Sequence, residues 1–458
     1  MLSLTIIVCV SAIIYRTSKN PFFGLLMMIA INSIEGLVKL PGDLSLSRIV
    51  GLISVLAWII YLNNDKPALK RLVRSKLIRI IWAFPVCCFL GVVFSWTNTN
   101  NDYSSVIKVF LLAIMSIMIE NLVYNKKRIY DIVLVFGLSA LIASIFPLAI
   151  SFGLDLYSFF GLSPDDAIKG GRTAGLTNNA NSLGIALSTG LFSLLILTVI
   201  NSRIVIKILI LLFAFAIINA LMLTGSRTHF IASILNSILF LILFFMGPVK
   251  RIGFIIIMVP LLFTFMFLAY QSLPEDIQKR FILIGSNVNN ETYERADFAD
   301  NQRALALKVL FDKPIFGVGL SNFNRISEGH GTHDSISSLL GETGFIGVLS
   351  FSLLAVSSFQ GLYRSLIYFK KYNFEIFNYI IGFMSSYITM FIVGWGGYII
   401  FYQRWFWITV GFSAIFSRWT KETSLGFSGK QLPNIQEYKN EISNNLYRNI
   451  RSRRKATR

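Results

Sequence analysis

Stretches of about twenty apolar residues recur along this chain, and each is long enough to cross a bilayer as a helix. Candidate spans lie near 2–15, 21–38, 46–62, 77–96, 103–124, 129–153, 179–200, 204–223, 228–246, 252–270, 336–360, 376–393 and 398–417. That makes thirteen, or twelve, since the first is short and the last ill-defined. The predicted fold class is therefore all-α: a polytopic membrane protein of about 12–13 transmembrane helices with one large extracytoplasmic loop, 271–335. Composition agrees. Of 458 residues, 54% are hydrophobic and 14% charged, with a mean hydropathy of +0.65. Soluble domains carry about 25% charged residues. A soluble enzyme, a secreted disulfide scaffold and a disordered chain are excluded.

The 42 basic and 23 acidic residues give a net charge of +19, which in a membrane protein points to the positive-inside rule before nucleic acid. Bases cluster at Arg16/Lys19, Lys66/Lys70/Arg71/Arg74/Lys76, Lys126/Lys127/Arg128, Arg203/Lys207, Lys250/Arg251 and Arg364/Lys370/Lys371, in every second connection. The alternate connections 97–102 and 394–397 contain no base. The long connection 271–335 carries seven bases and nine acids, and long loops cross regardless of charge. Only the loop with Lys39 and Arg48 strains the pattern. Segments 154–178, 224–227, 271–335 and 394–397 are thus expected outside, with the basic tail after Arg418 inside. Three units follow: N-terminal transmembrane helices 1–160, a transmembrane core 161–417 and a cytoplasmic tail 418–458. The tail reads as a topology anchor or a partner-binding segment. Cys9, Cys87 and Cys88 lie in apolar runs and read as buried thiols, and no cleavable signal peptide is expected.

Polar chemistry gathers on the expected outer face, at four segments. The first is GGRTAGLTNNANSLG, 170–184, where Asn178, Asn179 and Asn181 serve either a polar headgroup or sugar contact or a capped helix start. The second is TGSRTHF, where Arg227 sits among Thr224, Ser226, Thr228 and His229. Arg227 either snorkels or offers its planar fork to phosphate. The third, NQRALALKVLFDKPIFGVGLSNF at 301–323, reads as a short helix over 301–311 stopped by Pro314, with Arg303 in its first turn. The fourth, GHGTHDSISSLLGETGFIGVLSF at 329–351, places His333 and Asp334 before a span that begins with Glu342, Gly344 and Gly347. A histidine there suits a general base. His330 and His333 could instead ligate a metal with His229, but HxxH is a weak signal and the reading adopted has no metal.

Taken together, these segments resemble the O-antigen ligase and O-antigen polymerase (Wzy-type) superfamily. His333-Asp334, nine residues, then Gly344-x-x-Gly347 is similar to its His-Asn/Ser/Gln, nine residues, Gly-x-x-Gly signature. Segment 301–323 resembles its Arg…Pro-x-x-Gly-x-Gly-x-x-Asn-Phe stretch, LTGSRTHF its membrane-edge Ser-Arg element, and GRTAGLTNNANSLG its Arg-x-x-Gly-x-x-x-Asn-Pro-Asn loop. The resemblance runs from about 170 to 351, with Asp334 in place of Asn, Ser or Gln and Ala180 in place of Pro. It implies a metal-independent, cofactor-free, inverting glycosyltransferase at the outer face of the bacterial inner membrane. The donor would be an undecaprenyl-diphosphate-linked oligosaccharide. The acceptor would be a lipid-linked repeat for a polymerase or lipid A–core for a ligase; the departure at Asp334 favours polymerase. The resemblance gives Arg227 and Arg303 the diphosphate, His333 the acceptor proton, and substrate contacts to Arg172, Asn181, Asp334 and Glu342. A transporter of lipid-linked glycan is the competing reading, and it would use mid-membrane ionisable groups such as Glu35 and Glu120.

Overall fold

The computed structural model describes residues 12–13, 15–31, 46–65, 68–69, 76–94, 100–159, 168–169, 172–177, 179–201, 203–245, scattered positions between 264 and 278, 290–327, 335–394 and 399–426. These residues are almost entirely helical. The long elements are α1 (Pro21–Ala30), α2 (Leu46–Asn64), α3 (Lys76–Phe94), α4 (Asn100–Leu122) and α5 (Lys126–Ser151). A two-residue hairpin follows, β1 (Ile168–Lys169) antiparallel to β2 (Arg172–Thr173). Then come α6 (Ala180–Ile200), α7 (Ile204–Leu223), α8 (Arg227–Phe245), α9 (Asn290–Asp312), α10 (Ser335–Tyr372), α11 (Phe374–Gly394) and α12 (Arg404–Gly426). Eight helices among the described residues, α3 to α8, α10 and α11, are long and apolar enough to cross a membrane. The all-α polytopic expectation therefore holds. The expected spans at 2–15 and 252–270 lie mainly outside the described residues.

Helix starts follow local chemistry. Asn20 accepts from the Phe22 N–H at 3.1 Å just ahead of Pro21, and Asn125 accepts from Arg128 N–H at 3.0 Å. An Asn oxygen satisfies a first-turn donor that has no partner inside the helix. Pro85 and Pro147 sit inside α3 and α5 without ending them. The core lies where α10, α11 and α12 meet, around Phe84, Phe351, Phe383, Trp405 and Phe406. Outward-facing Ile204, Val205, Ile208, Leu209 and Leu212 of α7 are exposed, as a lipid-facing stripe requires.

Contacts across the bundle sort its two ends. At one end Lys126 of α5 pairs with Glu375 of α11, and Arg418 of α12 reaches the end of α4. Arg418 donates to the carboxylate of Glu120 at 2.9 Å and to its carbonyl at 3.0 Å, with Glu120 fully buried. At the other end, Ser335 of α10 accepts from Ile400 N–H at 2.9 Å and lies beside Gly394 of α11. The far end of α5 packs there through Phe146, which with Tyr157 of the short helical turn that follows lies against Leu176 of the first polar segment. The described parts of the four segments therefore gather at the end opposite the basic connections.

Two elements differ from expectation. The helix expected over 301–311 extends from Asn290 to Asp312, within what composition marks as a loop. The last helix begins at Arg404 and continues to Gly426, past the expected tail boundary at Arg418. Arg404 is held there by donating to the Met28 carbonyl at 2.9 Å, a contact between residues 376 apart that hydropathy cannot register.

Candidate functional site

The first unit of the site is built from side chains. Arg172, on β2, donates from Nε to the Thr224 carbonyl at 2.9 Å and from Nη2 to Asn181 Oδ1 at 2.7 Å. Asn181 Oδ1 also accepts from the Ser226 hydroxyl at 3.3 Å, and that hydroxyl lies 2.6 Å from His229 Nδ1. The first and second polar segments thus form one network. Asn179 caps α6 through the Asn181 N–H at 2.8 Å, so the capped-helix reading holds for Asn179 while Asn181 turns towards Arg172. His229 is 1% exposed and packs directly on the backbone of α6, where a Cβ on Gly184 would lie 2.9 Å from its Nδ1.

Two helix N-termini, those of α6 and α8, meet at this network, and neither has an acidic residue in its first turn. Helix starts present unpaired N–H groups and a partial positive charge. Arg227 opens α8, half-buried, and Arg172 lies half-buried alongside. Two guanidinium groups and two positive helix ends make an electropositive corner suited to an anion.

The second unit is built from backbone. Segment 313–321 turns through Gly317 (φ 66°), Gly319 (φ 86°) and Ser321 (φ 65°) and docks on α10 where that helix breaks at Gly344 (φ 62°, ψ −167°). Val318 N–H donates to the Gly341 carbonyl at 3.0 Å and Gly319 N–H to the Glu342 carbonyl at 2.9 Å. In return Phe345 N–H donates to the Pro314 carbonyl at 2.8 Å and Ile346 N–H to the Ile315 carbonyl at 3.3 Å. The carbonyls that end one half-helix and the N–H groups that begin the next are therefore satisfied by the turn, as buried backbone groups require. A Cβ on Gly317 would lie 2.5 Å from the Gly341 carbonyl oxygen, and one on Gly344 2.5 Å from Gly317 N. The third and fourth segments are thus one structural element.

Glu342 is 3% exposed, and its carboxylate accepts from the Ser338 hydroxyl at 2.9 Å. Arg303 is half-buried on α9, which packs on α10 through Ala306 and Val309 against Val318, Phe323 and Leu340. Helix α11 packs on both α8 and α10 and so joins the two units. Of the sequence-derived site residues, the structure brings Arg172, Asn181 and the start of α8 at Arg227 together, and sets Arg303 and Glu342 on the second unit. His330, His333 and Asp334 lie outside the described residues. Sequence reasoning missed Ser105, Lys108, Ser321 and Tyr402, which border the second unit. Lys108 carried a usable signal, being an isolated cation within an apolar span.

Eight helices among the described residues, long and apolar enough to span a bilayer, define a multi-pass membrane protein, with the described parts of the polar segments at one end of its bundle. Residues 211–352 match the family model described as O-antigen ligase. The match covers the second, third and fourth segments and supports the superfamily resemblance that the motifs carry, and with it a function of O-antigen ligase/polymerase type in general. No curated protein matches the chain.

Proposed function

We propose that the protein transfers a glycan from an undecaprenyl-diphosphate carrier to a sugar hydroxyl at the periplasmic face of the inner membrane, acting as a surface-polysaccharide polymerase. The observation that carries this reading is the electropositive corner where α6 and α8 start, with Arg172 and Arg227 beside it. In the transfer, the bond between the anomeric carbon and the phosphate oxygen breaks as the acceptor oxygen bonds to that carbon from the opposite side, inverting it. Undecaprenyl diphosphate leaves with charge growing on its oxygens. Fixed guanidinium groups stabilise that charge because they cannot lose their protons and are already oriented. Arg227 and Arg303 take this role, with Arg172, Asn181, Asp334 and Glu342 contacting substrate. His333 accepts the proton of the attacking hydroxyl. The mechanism uses no metal and no cofactor.

Of the two acids the transporter reading would use, Glu35 lies outside the described residues and Glu120 is paired. Glu120, the buried intramembrane acid, is held by Arg418 at the end of the bundle opposite the polar segments.

The test is transfer by purified protein supplied with undecaprenyl-diphosphate-linked glycan in detergent, where transport cannot be scored. His333→Ala should cut turnover by about 10²–10⁴-fold, the usual worth of a general base, with little change in donor binding. Full activity of His333→Ala at neutral pH overturns its assignment. In a deletion strain, single repeat units on lipid A–core mean polymerase, and long chains left on the carrier mean ligase.

A further inference from the structure

Asn181 Oδ1 stands at the centre of a directional chain of hydrogen bonds. Two groups reach this one atom, Nη2 of Arg172 at 2.7 Å and the Ser226 hydroxyl at 3.3 Å. A guanidinium can only donate, so the atom it meets is the amide oxygen, and that contact fixes which way the amide points. An amide oxygen only accepts, so the Ser226 hydroxyl spends its single proton on Asn181. The same hydroxyl lies 2.6 Å from His229 Nδ1 and is left to accept from it. His229 therefore carries a proton on Nδ1. The bonds run from Nδ1–H to Ser226 Oγ, and from Oγ–H to the Asn181 oxygen that also receives Arg172.

Packing holds the imidazole end of this chain still. His229 is buried, and a Cβ on Gly184 would lie 2.9 Å from its Nδ1 and 3.1 Å from its Cγ. The ring is thus wedged against the backbone of α6, three positions along that helix from Asn181. Asn181 itself is exposed, and its side chain would turn to solvent without a buried hydroxyl aimed at it. At the far end Arg172 is gripped at two nitrogens, Nε by the Thr224 carbonyl at 2.9 Å and Nη2 by Asn181. Bonds to two nitrogens of one rigid fork fix its plane. From this geometry we infer that His229 is a positioning residue for the glycan donor: its Nδ1–H, relayed through Ser226 and Asn181, sets the plane in which Arg172 meets the substrate. This rests on the function proposed above, in which Arg172 contacts substrate. A group already aligned binds without the cost of ordering it. His229 touches no reacting atom and acts only through other side chains.

The experiment pairs nitrogen NMR of the full chain, isotopically labelled at histidine, with transfer kinetics in detergent. The His229 resonances, identified by their loss in His229→Asn, should show a protonated Nδ1 at neutral pH; an unprotonated Nδ1 reverses the chain and overturns the inference. With undecaprenyl-diphosphate-linked glycan as substrate, His229→Leu should raise KM about fivefold, the scale of one hydrogen bond, with kcat unchanged. The amide of Asn places an N–H where imidazole has Nδ1–H, so His229→Asn should recover most of the affinity. Ser226→Ala cuts the chain without touching the histidine and should match His229→Leu, which keeps the test decisive if the leucine variant does not fold. With Arg172→Ala already present, His229→Leu should change KM by less than about twofold, because the group to be held is gone. A rise of full size in that background makes His229 a packing residue and overturns the inference. If Arg172→Ala leaves KM unchanged, or raises it while neither His229→Leu nor Ser226→Ala does, the function stands and this inference falls. If the unaltered protein transfers no glycan, both fall.

Discussion

The two halves of the polar site are held by different kinds of bond. Around Asn181, side chains do the holding: guanidinium, amide, hydroxyl and imidazole meet at the edge of two helix starts. Around Gly344, main chain does it, four N–H to carbonyl bonds locking a turn into a broken helix. A side-chain network can lose one member and relax, whereas a backbone lock has no room for a Cβ. The first half is therefore where binding can be tuned, and the second is where the shape of the site is fixed.

The strongest way to break this contrast is to add a methyl group to the lock. Gly317→Ala must adopt φ 66° with its Cβ 2.5 Å from the Gly341 carbonyl oxygen. Left-handed backbone costs about 1–2 kcal/mol and each displaced hydrogen bond about 1 kcal/mol more, so a loss of about 3 kcal/mol or greater is expected. It should appear as a sharp fall in yield and in the apparent melting temperature in detergent. Normal melting would mean that the turn can leave α10 without consequence.

Arg303→Lys separates shape from chemistry in the same half. The fold should be retained, and turnover should fall about 100-fold, nearly as far as in Arg303→Ala. On the proposed function, two parallel donors onto a diphosphate are replaced by one compact charge, and removing a single fixed donor from a developing anion costs about 10²–10³-fold. Near-normal turnover in Arg303→Lys would reduce this residue to a surface charge of α9.

In the side-chain half the effects should be smaller. Arg172→Ala removes donors from the Thr224 carbonyl and from Asn181, and Arg172 is only half-buried, so about 1 kcal/mol of stability is expected to go. Its larger effect should be on donor affinity, measured as a raised KM. Gly225→Ala should be the mildest. Its φ is 59°, but its Cβ would meet only the flexible Arg172 stem, at 3.3 Å. A loss of about 1 kcal/mol from the left-handed backbone is expected, with activity retained. A Gly225→Ala defect as deep as that of Gly317→Ala would erase the contrast between the halves.

The apolar runs, the loop charges and the Asn caps at positions 20, 125 and 179 are local features, and they specify helices, spans and helix starts without reference to the rest of the chain. The sequence also contained all four polar segments in order. It could not pair them. Arg172 and Thr224 are 52 positions apart, and Ser105 and Ser321 are 216 apart. Gly344 and Gly347, three positions apart, lie within one expected span. Only the folded chain makes Gly344 a break filled by the turn at 313–321. Glu120 likewise reads as an intramembrane acid open to any role until Arg418, 298 positions away, is seen to hold it. Hydropathy sets which segments leave water because transfer into lipid depends on composition over a single helix length. Which polar groups meet depends on helix packing, where each buried donor or acceptor needs a partner that only the tertiary arrangement supplies.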